Sequence, residues 1–189
     1  MSLTVAVRLR QGRYDAAQVD PRRVEWPPHP ARVFCALVAS AACAEDWEAL
    51  RWLERCGSPQ VWAAPSTSTA RVDSYVVTNE ASAKGGSASW PGRTNGARAR
   101  VSAVPADERF AFVWPEAEPD PGVVARLRRM ARNVPYVGRS TGQAEVSVAP
   151  EALEGPAVWS QWLPSRLGDG DVVALRVPYP GYTDALIDA

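Results

Sequence analysis

The sequence holds a single histidine, His29, and a single lysine, Lys84. One imidazole excludes the multi-histidine metal centres and leaves a Ser–His arrangement short of partners. The three cysteines, Cys35, Cys43 and Cys56, are odd in number and have no metal-ligand spacing. Two of them fall in an apolar helical region, so all three are expected to be buried cytosolic thiols. No H-E-x-x-H or cysteine-pair pattern fixes a metal, so none is implied, no cofactor is expected, and no catalytic constellation emerges. No stretch approaches the ~20 apolar residues of a membrane helix. The opening M-S-L-T-V-A-V-R-L-R lacks a basic region before an apolar block, so it is not a signal peptide. A cytoplasmic chain without membrane contact is expected, and no internal repeat is visible.

What is present is a chain of 189 residues with eight Trp, enough for one domain with a real core. Its net charge is zero, but the charge is blocked. Residues 1–39 hold six Arg against three acids, and 121–150 hold five Arg against one acid. Residues 81–106 hold one Lys and three Arg with no acid, while the excess acids lie in 40–80, 107–120 and 151–189. Such blocks fit either one face for a polyanion and another for solvent or protein, or a solvated surface that happens to cluster.

The run E-W-P-P-H-P-A-R-V-F-C-A-L-V-A-S at 25–40 is the most informative local stretch. Its prolines hold the chain extended, and Pro30 is suited to open a helix at its first turn. Val33, Phe34, Leu37, Val38 and Ala41 then recur at helical spacing. The pattern breaks near Cys43–Asp46, resumes with Trp47, Leu50 and Leu53, and stops at Gly57. Thr4–Arg10 alternates as a half-buried strand, Val72–Thr78 reads as a second and Arg109–Trp114 as a third. Asp120 and Pro121 make an N-cap and first helical position for an Arg-rich amphipathic helix. A strand follows at Ala144–Val148, and a last one is expected at Val172–Val177. The order β-α-β-(long loop)-β-α-β predicts an α+β, ferredoxin-like (RRM-like) βαββαβ sheet with an extra C-terminal strand.

The long Gly/Ser/Ala insertion at 81–106 contains Lys84, Trp90, Arg93, Arg98 and Arg100 without an acid. Cations of this kind neutralise phosphates, and an exposed indole stacks on bases. The same composition is also that of a plain surface loop. Gly138–Gly142 either lets backbone N–H groups approach a phosphate, with Arg139 and Ser140 adding donors, or is a helix-to-strand turn. His29 could act as a lone base on a 2′-OH in a metal-independent endoribonuclease, but inside a proline strap a structural role is expected. The Trp-rich stretch 157–164 offers a third reading, as a protein-interaction scaffold.

Taken in order, W-P-P-H-P-A-R-V-F-C-A-L-V-A, A-L-R-W-L-E, S-Y-V-V-T-N, F-V-W-P, Y-V-G-R-S-T-G and L-R-V-P-Y-P-G-Y resemble a CRISPR-associated family. It is the fused Cas-five/Cas-six subunit of type I-U (I-G) effector complexes, of the RAMP superfamily. The resemblance implies a non-catalytic RNA-binding subunit of a Cascade-like surveillance complex, gripping the 5′ handle of CRISPR RNA with a thumb. It implies as partners the backbone and large subunits, and target DNA through the complex. Residues 1–150 would form the RAMP domain with its thumb at about 81–106. Residues 151–189 would supply an extra strand and the start of a linker to a missing C-terminal half, where any cleavage residues would lie. By position, Arg93, Arg98 and Arg100 would follow handle phosphates with Lys84 beside them, and Trp90 would meet a base. Tyr75 and Asn79 would read or orient a base edge, Gly138, Arg139 and Ser140 would grip backbone, and Arg32 would either salt-bridge the strap or face RNA, the former being preferred.

Overall fold

The computed structural model describes residues 2–78, 94–153, 155–165 and 172–188. Its main sheet has five strands in the spatial order β6-β1-β5-β2-β7, every neighbouring pair antiparallel. These are β1 Leu3–Leu9, β2 Gln60–Ala63, β5 Arg109–Trp114, β6 Ala144–Ala149 and β7 Ser160–Trp162. Helices α1 Pro30–Val38 and α2 Ala44–Arg55 lie between β1 and β2 in the chain, and α3 Pro121–Arg132 lies between β5 and β6. With β7 set aside, this is the ferredoxin-like α+β arrangement.

Alternation explains which side of the sheet is dry. Leu3, Val5, Val7 and Leu9 of β1 share one face with Phe110, Phe112 and Trp114 of β5 and with Val146 and Val148 of β6. All are buried beneath the apolar stripes of the helices: Val33, Phe34 and Leu37 of α1, Leu50 and Leu53 of α2, and Leu127 and Met130 of α3. Each helix starts where its sequence says. Pro30 occupies the first turn of α1, and the Asp120 carboxylate accepts from the Gly122 amide at 2.7 Å to cap α3. Asp46 accepts from the Ala42 and Cys43 amides at the start of α2 and pairs across to Arg129 of α3. Burial alone would raise the Asp46 pKa, but the guanidinium and the amides outweigh it and hold the carboxyl far below the usual range.

The strap seats itself through Trp26, whose Nε1 donates to the Ala64 carbonyl at 3.1 Å and whose ring meets Tyr14 and Phe110 edge-on. The Trp26–Pro27 peptide is cis. Beneath it lies Glu25, fully buried, accepting from Tyr14 Oη at 3.0 Å, Arg32 NH2 at 3.0 Å and Arg176 NH2 at 2.9 Å. Arg32 therefore does salt-bridge the strap. A second buried carboxylate, Glu54 of α2, accepts from the Gly181 and Thr183 amides and from Thr183 Oγ1, so α4 Tyr182–Ile187 begins on an acceptor supplied by another helix.

Four expectations are corrected. Val72–Thr78 is not the second strand of the main sheet. It is the outer part of β3 Ser66–Thr78, which pairs only with β4 Thr94–Pro105 in a separate two-stranded hairpin inserted between β2 and β5. Its alternation does not mark burial, since Val72 is 60% and Tyr75 73% exposed. The second core strand is the four-residue Gln60–Ala63, too short to stand out behind Pro59. The stretch 94–105 of the insertion is strand rather than loop, because Val101 and Ala103 are buried at the hairpin base.

The extra strand also lies elsewhere. Val172–Val177 makes no strand: Val172 and Val173 are half-exposed, and the segment is held by Arg176 instead. The added strand is β7, on the free edge of β2. Finally, the three cysteines are free but only half-buried, two of them flanking α2 as its caps.

Candidate nucleic-acid interface

The hairpin register decides which side chains act together. Arg98 stands opposite Ser74, Arg100 opposite Val72 and Ser102 opposite Ala70, so these residues share one face. Tyr75, Asp73 and Arg71 share the other. Arg98 and Arg100 are exposed, two strand rises or about 6.8 Å apart. Tyr75 is thus not beside the arginines but behind them. On its face Arg71 is paired with Asp73 at 3.0 Å and so contributes no net charge.

The foot of the arginine face is fastened to the body. Ser102 Oγ donates to Asp15 Oδ1 at 2.6 Å, and Tyr14 and Ala103 exchange two backbone hydrogen bonds at 2.8 and 3.0 Å. On the far side of Asp15 sits the loop 138–142. Arg139 donates its amide to the Asp15 carbonyl at 2.9 Å and its NH1 to the Val101 carbonyl of β4 at 3.2 Å. The fold therefore brings the loop to the base of the hairpin that carries Arg98 and Arg100.

Gly138 has φ +89°, and a Cβ there would stand 2.7 Å from the Asp15 carbonyl oxygen. Its lack of a side chain serves this approach to the chain's own backbone. The Arg139 amide is likewise occupied, while Ser140 is exposed. Of the other expected site residues, Asn79, Lys84, Trp90 and Arg93 lie outside the described residues.

Asp15, Ser102, Arg13 and Thr141 were not expected to matter. Burial pushes the Asp15 carboxyl up, but hydrogen bonds from Ser102, Thr141 and Arg13 outweigh it and hold it below the usual carboxylate value. No sequence signal marks this cluster, because its members lie on three segments that only the fold brings together.

Elsewhere several cations are paired. Arg8 pairs with Glu108, Arg10 with Glu145, Arg109 with Asp107, Arg129 with Asp46 and Arg51 with Asp184. Two of these pairs, Arg8–Glu108 and Arg129–Asp46, join a basic block to an acidic one distant in sequence, while Arg22, Arg23, Arg55, Arg126, Arg128 and Arg132 make no ion pair among the described residues. Arg98 and Arg100 pair with no carboxylate among the described residues.

The sheet face away from the helices is a poor alternative platform. Its positions on β1 and β5 are Thr4, Ala6, Arg8, Arg109, Ala111 and Val113, none of them a ring, and the ring that β2 adds, Trp62 opposite Ala111, lies against Gly155 of the following segment. The segment after β6 also crosses that face: Thr4 Oγ1 donates to the Glu151 carbonyl, and Trp159 Nε1 donates to Asp107. A Cβ on Gly155 would meet both Trp62 and Trp159 at about 3 Å, so the two indoles close around this glycine.

His29 is buried within the Glu25 cluster. Its Nδ1 accepts from Arg176 Nε at 3.0 Å, which places its proton on Nε2. Burial pulls its pKa below the usual value, against the opposing pull of Glu25. No helix among the described residues is long and apolar enough to cross a membrane.

Among known families, the model described as CRISPR-associated protein, GSU0054 family, matches residues 6–189. No curated protein matches the chain.

Proposed function

The chain belongs to the CRISPR-associated GSU0054 family, and on that premise we propose that it is the RNA-gripping, non-catalytic part of a Cascade-like type I surveillance complex. In this reading it is the N-terminal half of a fused Cas-five/Cas-six subunit of the type I-U (I-G) class. The β3–β4 hairpin is its thumb, laid along the 5′ handle of CRISPR RNA. Its partners are the backbone and large subunits, and through the assembled complex, target DNA.

The observation that carries the reading is the pair of exposed arginines that the register sets on one face of the hairpin. Several cations of the sheet and helices are met by carboxylates, while Arg98 and Arg100 project together without one among the described residues. Unpaired guanidiniums on a protruding ribbon are suited to phosphates, which they contact bidentately while releasing counterions. The fixed base, locked by Asp15, Ser102 and Arg139, lowers the ordering cost of binding.

The competing reading, an endoribonuclease using His29, has no support from the imidazole's surroundings. Nδ1 already accepts from Arg176 and Nε2 holds the proton, so neither nitrogen is ready to take one from a 2′-OH.

Photo-cross-linking of the chain to a repeat-derived RNA, followed by peptide mass spectrometry, tests the assignment. Cross-links should concentrate on peptides of the hairpin and of 136–143. Cross-links confined to the outer sheet face or to 157–164 contradict it.

A further inference from the structure

A second cluster on the molecule has the chemistry of a ligand site and no part in the hairpin. Around a cavity of about 240 Å³ stand Arg32 and Cys35 of α1 together with Arg176, Tyr179 and Tyr182. Both guanidiniums are oriented by the single buried carboxylate of Glu25. Arg32 spends Nε and NH2 on Glu25 and the Ala17 carbonyl, and Arg176 spends Nε on His29 and NH2 on Glu25. The remaining terminal nitrogen of each, NH1, has no partner among the described residues. With His29 acting as a neutral acceptor, two cations face one carboxylate and one positive charge is left over. A purely structural lock on Arg176 would need only one of these guanidiniums.

The aromatic side of the cavity is equally fixed. Tyr182 is stacked on Phe34 at 5.8 Å between centroids, and its hydroxyl lies 3.6 Å from Cys35 Sγ. Tyr179 leans on Tyr182 at 5.0 Å, and its carbonyl accepts from the Tyr182 amide at 2.9 Å. Tyr179 nevertheless remains 54% exposed, so one face of a held ring looks outward beside two part-used guanidiniums.

We propose that this cavity binds a nucleoside monophosphate unit, its phosphate on Arg32 and Arg176 and its base stacked on Tyr179. Arginine forks match phosphate oxygens, and a base stacks on an exposed ring whatever its identity. The unit is either a free nucleotide or one residue of an RNA strand. The site stands on its own residues, independent of what the hairpin does.

The test is an NMR titration of the 189-residue chain with AMP, adenosine, inorganic phosphate and a short oligoribonucleotide, following the Ala31, Arg176 and Tyr182 amides. AMP should saturate these shifts at lower concentration than adenosine or phosphate alone. Tyr179→Ala should weaken AMP by about tenfold, the worth of one stacked base, whereas Tyr179→Phe should keep it. Arg98→Ala/Arg100→Ala should leave AMP binding unchanged. An oligoribonucleotide that displaces AMP supports the site with RNA as its source, and one that does not supports it with free nucleotide as its source. The proposal is overturned if AMP fails to saturate the shifts, as it would were a protein segment the true occupant. It is equally overturned if Tyr179→Ala binds AMP as the parent does, or if the hairpin variant loses AMP.

Discussion

Ser102 of the hairpin and Asp15 of the loop after β1 are joined by a 2.6 Å hydrogen bond across 87 positions of sequence. Through this contact a ribbon that would be marginal alone becomes continuous with the domain. Removing the hydroxyl with Ser102→Ala should cost about 1–2 kcal/mol, measured by urea unfolding.

The same pair sets an acid dependence. The Asp15 pKa is lower folded than its usual 3.8, so its contribution is complete above that value and is lost as pH falls through the folded one. Amide exchange at Tyr14 and Ala103, compared with intrinsic rates, should lose protection below about pH 4. Asp15→Asn should remove that local acid dependence; an unchanged profile would show that another group controls the hairpin base.

Glu25 is the node through which the strap, α1 and the C-terminal segment are held. Glu25→Ala leaves two guanidiniums and the Tyr14 hydroxyl facing a gap, and should cost about 3–5 kcal/mol. Tyr14→Phe, which removes one neutral donor, should cost only about 1 kcal/mol. Equal losses in thermal unfolding would mean that the carboxylate is not the node.

His29 gives this region a dependence near neutrality. Its pKa is lower folded than the usual 6.5, so its neutral form contributes stability above 6.5 that declines as pH falls below it. Protonation removes the acceptor for Arg176 Nε, and the described part of 172–188 should lose exchange protection first. His29→Asn keeps an acceptor without titrating and should flatten the profile between pH 7 and 5.

Gly138 is constrained both by its φ of +89° and by the Asp15 carbonyl 2.7 Å from where a Cβ would stand. Gly138→Ala should therefore destabilise by about 2 kcal/mol or more. Gly12→Ala, at φ +63° with nothing near its Cβ, should cost less. A reversed order in chemical denaturation would contradict the packing described for the loop.

The parts of this fold that could be read in advance are those written locally. Pro30 and Asp120 announce their helices, Gly57 its stop, and Phe110, Phe112 and Trp114 their common face, because each signal lies within a few residues of what it controls. The hairpin misled because period-two alternation fits a free ribbon as well as a buried strand, and only the exposure of Val72 and Tyr75 separates the two. Gln60–Ala63 was hidden by its length and β7 by the prolines around it. At the candidate site the arginines were legible from an acid-free block, but their common face needed the register. Asp15, Ser102 and Arg139 needed the fold itself.

The most direct test of the RNA-gripping account is the affinity of the chain for a CRISPR RNA 5′ handle as a function of salt, for the parent and for Arg98→Ala/Arg100→Ala. Loss of two phosphate contacts should weaken binding at every salt concentration and reduce the log–log salt slope by about 1.4, at ~0.7 per phosphate on a single strand. Arg71→Ala, which removes a paired cation from the opposite face, should change neither by a comparable amount. An unchanged affinity and slope in the double variant would contradict the assignment of the hairpin as the RNA-binding thumb.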